Sequence, residues 1–494
     1  MNSSAESTKF GLVAIQGTVW RYASYFGGKL MVFLSTLVLA RLLSIEDFGI
    51  VGYALASIAF LDIASDLGMA EAVVFHKEDS RTNSTAFWVS LGIGFFLFGL
   101  SWILAPFLAI YFKDDRVIPV FRAITLTFPV TALGSTHDAL LRKELAFGKT
   151  ALPEFLRALT KGVVSVVLAF SGFGAWSLVW GQVGGTLVAS IILWLITPWH
   201  PTFEFDIPKA TALITYGVKY IGTDILSVLL LNIDYLLIGR YLGATALGIY
   251  VLAYRVPELL ILQFARILSK VTFPIYTKMR DIPGGMARGF GKATSYVSLI
   301  TIPIGLGLMV IARPFTLMFL TDKWENAIPV MQGIAIYCLF LSLIHNSGSV
   351  YKALGKFDVM TWIGITRLLL LFPALWWATT VAESIIAVGW MHALIAFVGS
   401  VISLLVTARI LGLPLRELFN SLLPSILAGA IMAFAVYAIL QLTLALSSIE
   451  QLLITIPSGG LIYLAALWFV RRDVIIDVYQ RLSGAILRRQ KKYA

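Results

Sequence analysis

Residues 40–54, ARLLSIEDFGIVGYA, have a diverged second copy at residues 239–253, GRYLGATALGIYVLA. The alignment pairs Gly49 with Gly248. Two further segments recur at a similar spacing: APFLAIYFKDD (105–115) with RPFTLMFLTDK (313–323), and IPV (118–120) with IPV (328–330). A steady offset of about 200 residues is typical of an internal duplication. The sequence therefore predicts two related halves.

The composition places both halves in a membrane. The chain has 494 residues, of which 59% are hydrophobic and 13% are charged, whereas about a quarter of the residues in a soluble protein are charged. This excess of apolar side chains requires lipid as the solvent. Cys338 is the only cysteine, so neither a disulfide framework nor a cysteine-based metal site is expected. The prediction is an all-α integral membrane protein.

Apolar runs of about 20 residues mark the membrane spans. We predict fourteen, near residues 17–40, 48–75, 84–111, 118–140, 151–170, 174–196, 213–239, 246–276, 291–312, 327–350, 359–378, 384–408, 421–445 and 451–470. Each copy of the repeat holds six spans, which predicts two lobes in a pseudo-twofold arrangement with the substrate path between them. The predicted divisions are lobes at 1–205 and 206–412, a helix pair at 413–470 and a basic tail at 471–494.

Lys and Arg residues set the orientation. With the N-terminus inside, about 22 of the 38 basic residues lie in cytoplasmic segments and about 6 in outer loops, as the positive-inside rule requires. Both termini are then cytoplasmic. The net charge of +11 is explained by this distribution, so no nucleic-acid partner is expected.

Basic side chains also occur inside the predicted spans, where each costs about 3 kcal/mol at mid-membrane. They must lie at span ends, pair with acids or face water. Arg255, Glu258, Arg266 and Lys270 fall on one side of span 8, which fits a water-filled cavity. Arginine binds phosphate oxygens through paired hydrogen bonds. The candidate anion-site residues are Arg21, Lys29, Arg157, Arg255, Arg266, Lys270 and Arg367.

The acidic residues inside the spans have two possible roles. They are Asp62, Asp66, Asp224, Asp234 and Glu258. They could balance the basic residues, or they could bind H⁺ or Na⁺ and couple transport to an ion gradient. No other cofactor is expected. The segments ELAFGKT (144–150) and MARGFGKAT (286–294) lack the first glycine of a phosphate-binding loop and follow no strand, so no ATPase is expected.

Three segments resemble those of Wzx-type polysaccharide flippases, in the multidrug/oligosaccharidyl-lipid/polysaccharide exporter superfamily. They are LARLLSIEDFGIVGYALASIAFLDIASDLGMAEAVVFHKED (39–79), LLRKELAFGK (140–149) and GAWSLVWGQVGGTLVASIILWLITPWHPTFEFD (174–206). The subgroup resembled is that of the colanic-acid and teichuronic-acid exporters. The resemblance implies fourteen helices in two lobes around a V-shaped central cavity whose cationic residues hold a diphosphate.

The resemblance also implies a function. The substrate would be an undecaprenyl-diphosphate-linked oligosaccharide, carried across the bacterial inner membrane by alternating access. The partners would be this polyprenyl-linked substrate, membrane lipids, a polysaccharide polymerase and a chain-length regulator. The alternative within the superfamily is a cation-coupled exporter of drugs or metabolites. A membrane glycosyltransferase or polymerase would need a large outer loop with catalytic carboxylates, and the predicted outer loops are short, so an enzyme is not expected.

Overall fold

The computed structural model describes residues 27–66, 73, 80–144 and 146–472, which are helical with no strand among them. In chain order the helices are α1 (27–42), α2 (Ile45–Asp66), α3 (Ser80–Phe112), α4 (Val117–Ile124 and Thr127–Lys143), α5 (Phe147–Phe170), α6 (Ala175–Ile196), α7 (Ile207–Tyr241), α8 (Gly243–Met279), α9 (Gly285–Phe319), α10 (Ile328–Ala353), α11 (Phe357–Thr380), α12 (Ile385–Leu411), α13 (Leu415–Leu442) and α14 (Ser448–Val470). A short 3₁₀ helix, Asp322–Ala327, precedes α10. The all-α prediction is confirmed.

Eleven helical stretches among the described residues are long and apolar enough to cross a membrane. The protein is therefore a multi-pass membrane protein. Helices α1, α5 and α7 are not among the eleven. In α5 the reason is its four charged residues, Lys149, Glu154, Arg157 and Lys161. The number of fourteen spans stays a prediction.

Several helices begin and end at residues suited to those positions. Helix α7 starts after Asp206, whose side chain accepts a hydrogen bond from the Lys209 amide at 3.1 Å. Helix α14 starts with a capping box, in which Ser447 and Glu450 satisfy each other's backbone N–H groups. Such caps satisfy donors that the first helical turn leaves unpaired. The turns between apolar runs therefore fix the ends of the helices.

The chain divides into two compact units. The boundary lies between Leu252 and Ala253, within α8, and residues 379–383 belong with the first unit. Helix α7 and the first part of α8 therefore lie in the first unit. This division groups residues by contact, whereas the repeat groups them by sequence similarity. The lobe boundaries at 205 and 412, the helix pair at 413–470 and the tail at 471–494 stay predictions.

The two copies of the quoted motif meet inside the first unit. A Cβ atom added to Gly49 would lie 1.9 Å from the carbonyl oxygen of Ala244, and one added to Gly248 would lie 2.0 Å from that of Ile45. Gly49 thus faces the carbonyl of the residue four positions before Gly248, and Gly248 faces the carbonyl of the residue four positions before Gly49. Only a residue without Cβ permits backbones to approach this closely. The crossing of α2 and α8 is therefore reciprocal, as expected for two copies of one motif.

Ion pairs surround this crossing. The Arg116 guanidinium binds Asp114 at 2.9 Å and Glu46 at 2.7 Å, and the Thr245 hydroxyl donates to Glu46 at 3.4 Å. The hydrogen bonds from Arg116 to Asp114 and then to Glu46 raise the pKa of the arginine above its ordinary value. These contacts join the link after α3 to the starts of α2 and α8. The predicted orientation puts them on the outer side of the membrane.

Candidate functional site

Helix α8 carries an ion-paired group of three side chains, which we call the α8 cluster. Arg255 donates to one oxygen of Glu258 at 3.4 Å, and Arg266 donates to the other at 3.1 Å. The three side chains are 34%, 16% and 39% exposed, respectively. The sequence predicted that they share one side of the helix, and these contacts confirm it. One carboxylate is thus shared by two guanidinium groups.

A π-helical turn brings Arg266 to Glu258. The hydrogen-bond pattern of α8 changes at Glu258–Leu262, directly after Pro257, and returns to α-helical at Gln263. In an uninterrupted α-helix, a residue eight positions after Glu258 would point about 80° away from it. A π turn accommodates one additional residue, which reduces that angle to about 20°. This irregular turn therefore aligns the two side chains.

Arg367, on α11, is a buried cation in the second unit. It is 8% exposed, donates to the Tyr337 hydroxyl at 3.1 Å and lies 5.8 Å from the centre of that ring. No carboxylate pairs with it, and its Nε atom has no hydrogen-bond partner, in the part of the chain that the structure describes. Both Arg367 and Arg266 lie within electrostatic range of His345 on α10. A buried guanidinium among apolar helices is a candidate functional group, and the role of Arg367 in binding an anion stays a prediction.

In the first unit, close packing of α5 on α6 positions a second group of charges. The sequence GQVGG places glycines at 181 and 185. Cβ atoms added there would lie 1.9 Å from the Ser165 hydroxyl and 2.7 Å from the Arg157 carbonyl. This small-xxx-small spacing lets the two helices approach closely. The first turns of α5, which carry Glu154 and Arg157, are held in place by this contact.

These turns of α5 border a cavity of about 350 Å³, which we call the N-terminal cavity. Its charged lining consists of Asp138, Arg142, Glu154 and Arg157. Asp138 and Arg142 form an ion pair of 2.5 Å. Glu154 and Arg157 have no ion-pair partner in the segments that the structure describes. Arg157 also interacts electrostatically with Asp62 on α2. Nearby carboxylates therefore offset its positive charge, which makes it less suited to binding an anion than its sequence position suggests.

Asp234 has its own set of contacts in the first unit. It is 2% exposed and accepts a hydrogen bond of 2.5 Å from the Tyr250 hydroxyl, which connects α7 to α8 within the first unit. The Tyr235 amide donates to its second oxygen at 3.0 Å. A buried carboxylate held in this way stabilises the contact between two helices.

Among the remaining predicted anion-site and acidic residues, the structure describes the side chains of Lys29 and Lys270. Arg21 and the side chains of Asp66 and Asp224 lie outside the described residues. Lys29 is half-buried on α1, which packs against α5 where Gly28 contacts Ala158. Lys270 is exposed on α8. The roles of these residues in binding an anion stay predictions.

Sequence reasoning missed several participants. Arg142 was counted as a loop residue, although its spacing of four residues from Asp138 is typical of an ion pair on a helix. Tyr337 and His345 gave no signal, because single aromatic or histidine residues are common in apolar helices. Ser90, which also lines the N-terminal cavity, is one of many serines in the chain. Only the folded arrangement singles these residues out.

Comparisons with known proteins identify the family. A family of proteins described as "Polysaccharide biosynthesis protein" matches residues 38–329, which is more than half of the chain. Helices α2 to α9 and the α8 cluster fall within the match.

Three relatives span most of the chain. The teichuronic acid biosynthesis protein TuaB of Bacillus subtilis is 26% identical over 437 residues, covering 87% of this chain and 88% of the relative. The lipopolysaccharide biosynthesis protein WzxC of Escherichia coli is 27% identical and covers 78% and 79%, respectively. The succinoglycan biosynthesis transport protein ExoT of Rhizobium meliloti is 26% identical and covers 70% and 71%.

Solved structures share the fold. The lipid II flippase MurJ in an inward closed conformation superposes with a TM-score of 0.74 over 92% of this chain and 100% of its own, at 14% identity. An inward-facing multidrug transporter of the MATE family superposes with a TM-score of 0.63 over 78% of this chain and 94% of its own, also at 14% identity. At these identities the likeness establishes the fold.

Proposed function

Because the chain belongs to the family of polysaccharide biosynthesis proteins, we propose that it is a flippase for a lipid-linked saccharide. Its cargo is an undecaprenyl-diphosphate-linked oligosaccharide, which it moves across the bacterial inner membrane by alternating access. The names of the three relatives refer to the biosynthesis of teichuronic acid, lipopolysaccharide and succinoglycan, and the third name also refers to transport. These names support a polysaccharide precursor as the cargo.

The α8 cluster together with Arg367 is the observation that carries the proposal. Three guanidinium groups and one carboxylate give this part of the second unit a formal charge of +2. Basic side chains are costly inside apolar helices unless they bind a partner. An anionic cargo that crosses the membrane supplies such a partner.

The geometry suits a diphosphate. Arg255 and Arg266 each use one terminal nitrogen to bind Glu258, and a guanidinium has five N–H donors. The remaining donors can bind phosphate oxygens in the paired manner that guanidinium favours. Glu258 balances the two arginines while no phosphate is bound, and it holds both side chains in position for the cargo.

The proposed roles of the other charged residues, the location and the partners come from the sequence analysis. Arg21, Lys29, Arg157 and Lys270 add positive charge along the route. Asp62, Asp66 and Asp224 either balance these bases or couple transport to H⁺ or Na⁺. The protein lies in the inner membrane with both termini in the cytoplasm, and it passes its cargo to a polymerase and a chain-length regulator. It breaks no covalent bond.

Reconstitution tests the proposal directly. Purified protein in vesicles should move a fluorescent undecaprenyl-diphosphate-linked oligosaccharide between leaflets, measured by quenching from outside. Arg266→Ala should slow this movement by about tenfold or more, because a charge-assisted contact with phosphate is lost. Arg313→Ala is the matched control, since Arg313 forms an exposed ion pair with Glu325 at 3.0 Å. Drug efflux without movement of the lipid, or an Arg266→Ala protein as fast as the wild type, would contradict it.

A further inference from the structure

The N-terminal cavity differs in chemistry from the α8 cluster. Its charged lining contains two acids, Asp138 and Glu154, and two bases, Arg142 and Arg157, so its formal charge is zero. A diphosphate would meet two carboxylates there. The cavity is therefore a poor phosphate site, although it lies among apolar helices where charged groups are costly.

The remainder of the lining is rich in hydroxyl groups. Serine or threonine side chains reach the cavity from α2, α3, α4, α5 and α6, among them Ser65, Ser90, Ser135, Thr150 and Ser190. Pockets for drug-like molecules are mostly apolar and aromatic. Among the described residues that line this cavity, polar residues outnumber apolar ones, although apolar atoms form more of its surface, and Phe128 is the one aromatic residue. Such a lining suits a ligand that is itself covered with hydroxyl groups.

One of these hydroxyl groups lacks a partner. Ser90 is 3% exposed, and its Oγ atom makes no hydrogen bond within the described part of the chain. A buried polar atom without a partner costs about 1–3 kcal/mol. Glu154 and Arg157 are also without ion-pair partners there. Glu154 and Arg157, both on α5, thus have unused hydrogen-bonding capacity at the lining of this space.

The cavity has a size and a position that fit the cargo's head group. Its volume of about 350 Å³ lies at the lower end of the range for small-ligand pockets, roughly 300–1,000 Å³. Ser90 lies ten residues after the start of α3, or about 15 Å along the helix axis. Arg142, near the end of α4, marks the cavity's other limit. In the predicted orientation both helix ends face the cytoplasm.

We propose that the N-terminal cavity binds a sugar residue of the cargo and selects the saccharide. This inference rests on the proposed function and assigns the saccharide and the diphosphate to different units. Carboxylate and guanidinium groups bind vicinal hydroxyls, Glu154 as acceptor and Arg157 as donor. The exposed Thr131 hydroxyl in the lining supplies a further donor or acceptor. The N-terminal cavity thus binds the sugar, which differs between cargoes, while the α8 cluster binds the diphosphate, which such cargoes share.

Cysteine chemistry tests the inference, because Cys338 is the only native cysteine and is buried. The protein is prepared in nanodiscs as Cys338→Ser with Thr131→Cys, an exposed position in the cavity lining, and modification by a small cationic methanethiosulfonate is timed. The added probes are glucose, galactose, N-acetylglucosamine, glucuronate and inorganic pyrophosphate. We expect at least one sugar to slow the modification in a saturable manner and pyrophosphate to leave it unchanged. Ser135→Cys, also in the lining, is the second reporter, and Ser171→Cys in the exposed turn after α5 is the control.

A second substitution measures the contact itself. Adding Glu154→Gln should raise the half-protecting concentration of that sugar about tenfold, as loss of a charged acceptor predicts. Glu325→Gln, outside the cavity, should not change it. The inference is wrong if neither reporter reacts, if no sugar protects either one, or if pyrophosphate protects. If the wild-type protein moves the lipid-linked oligosaccharide but no sugar protects either reporter cysteine, only this inference is wrong. If a sugar protects a reporter cysteine but the lipid-linked oligosaccharide is not moved, the proposed function is wrong instead.

Discussion

The paired glycines at the crossing of α2 and α8 give the sharpest prediction for a single residue. Gly49→Ala and Gly248→Ala each place a methyl group about 2 Å from a backbone carbonyl oxygen, which cannot rotate away as a side chain can. We expect each substitution to lower the free energy of unfolding by about 1–3 kcal/mol or more. Thermal unfolding in detergent measures this. Gly92→Ala and Gly99→Ala on α3, where nothing lies within 4 Å, should leave stability unchanged or slightly raised.

Tyr250 and Asp234 give a second prediction at this scale. Tyr250→Phe removes the donor of a 2.5 Å hydrogen bond to a carboxylate, and we expect a cost of about 1.5–3 kcal/mol in stability. If the pair only joins α7 to α8, Asp234→Asn combined with Tyr250→Phe should cost less than the two single changes added together. Transport per folded molecule should then be unchanged in every variant. A change in H⁺ or Na⁺ dependence would instead assign Asp234 to ion coupling.

At the scale of the element, the π turn of α8 can be removed. Deleting Leu260, an exposed residue within Glu258–Leu262, removes the additional residue that the π turn accommodates and allows a continuous α-helix. Arg266 is then seven positions after Glu258, which at about 100° per residue points it about 20° away from Glu258, as in the wild type. We therefore expect Leu260 deletion to leave Arg266 aligned with Glu258 and transport largely intact. Inserting an alanine after Gln263 in the wild type should misalign the pair and abolish transport.

The matched control for the insertion is an alanine added after Asp281, in the turn between α8 and α9, where no intrahelical alignment depends on register. Circular dichroism should give the same helical content for both insertions, since neither adds a helix breaker. Full transport by the Gln263 insertion would show that the alignment of Arg266 with Glu258 is dispensable.

The elements show where sequence reasoning succeeded and where it stopped. Apolar runs located the described helices to within several residues, because the membrane imposes a minimum length on each span. They could not reveal the π turn, since periodicity assumes a constant 100° per residue. The position of Arg157 at the N-terminal cavity depends on the close approach of α5 to α6 at Gly181 and Gly185. That is a property of two helices, and no single segment encodes it.

For the whole molecule, the repeat was the most informative feature of the sequence. An offset of about 200 residues indicates duplication, but it does not say that the two copies of a motif touch each other. The reciprocal contacts of Gly49 and Gly248 supply that information. They also explain why the compact units divide at Leu252, beyond the first sequence repeat, because contacts with α2 hold the first part of α8 in the first unit.

The orientation of the whole chain is the last prediction. The excess of Lys and Arg in alternate links places the turn after α5 outside the cell and the turn after α8 inside. In a Cys338→Ser background, Ser171→Cys should react with a membrane-impermeant maleimide on intact spheroplasts. Asp281→Cys should react only after the membrane is permeabilised. Both positions are exposed, so accessibility of the side chain does not distinguish them, and a denatured sample provides the total reactive thiol. The reverse pattern would place both termini outside, and it would then put the N-terminal cavity on the side of the membrane where the cargo is released.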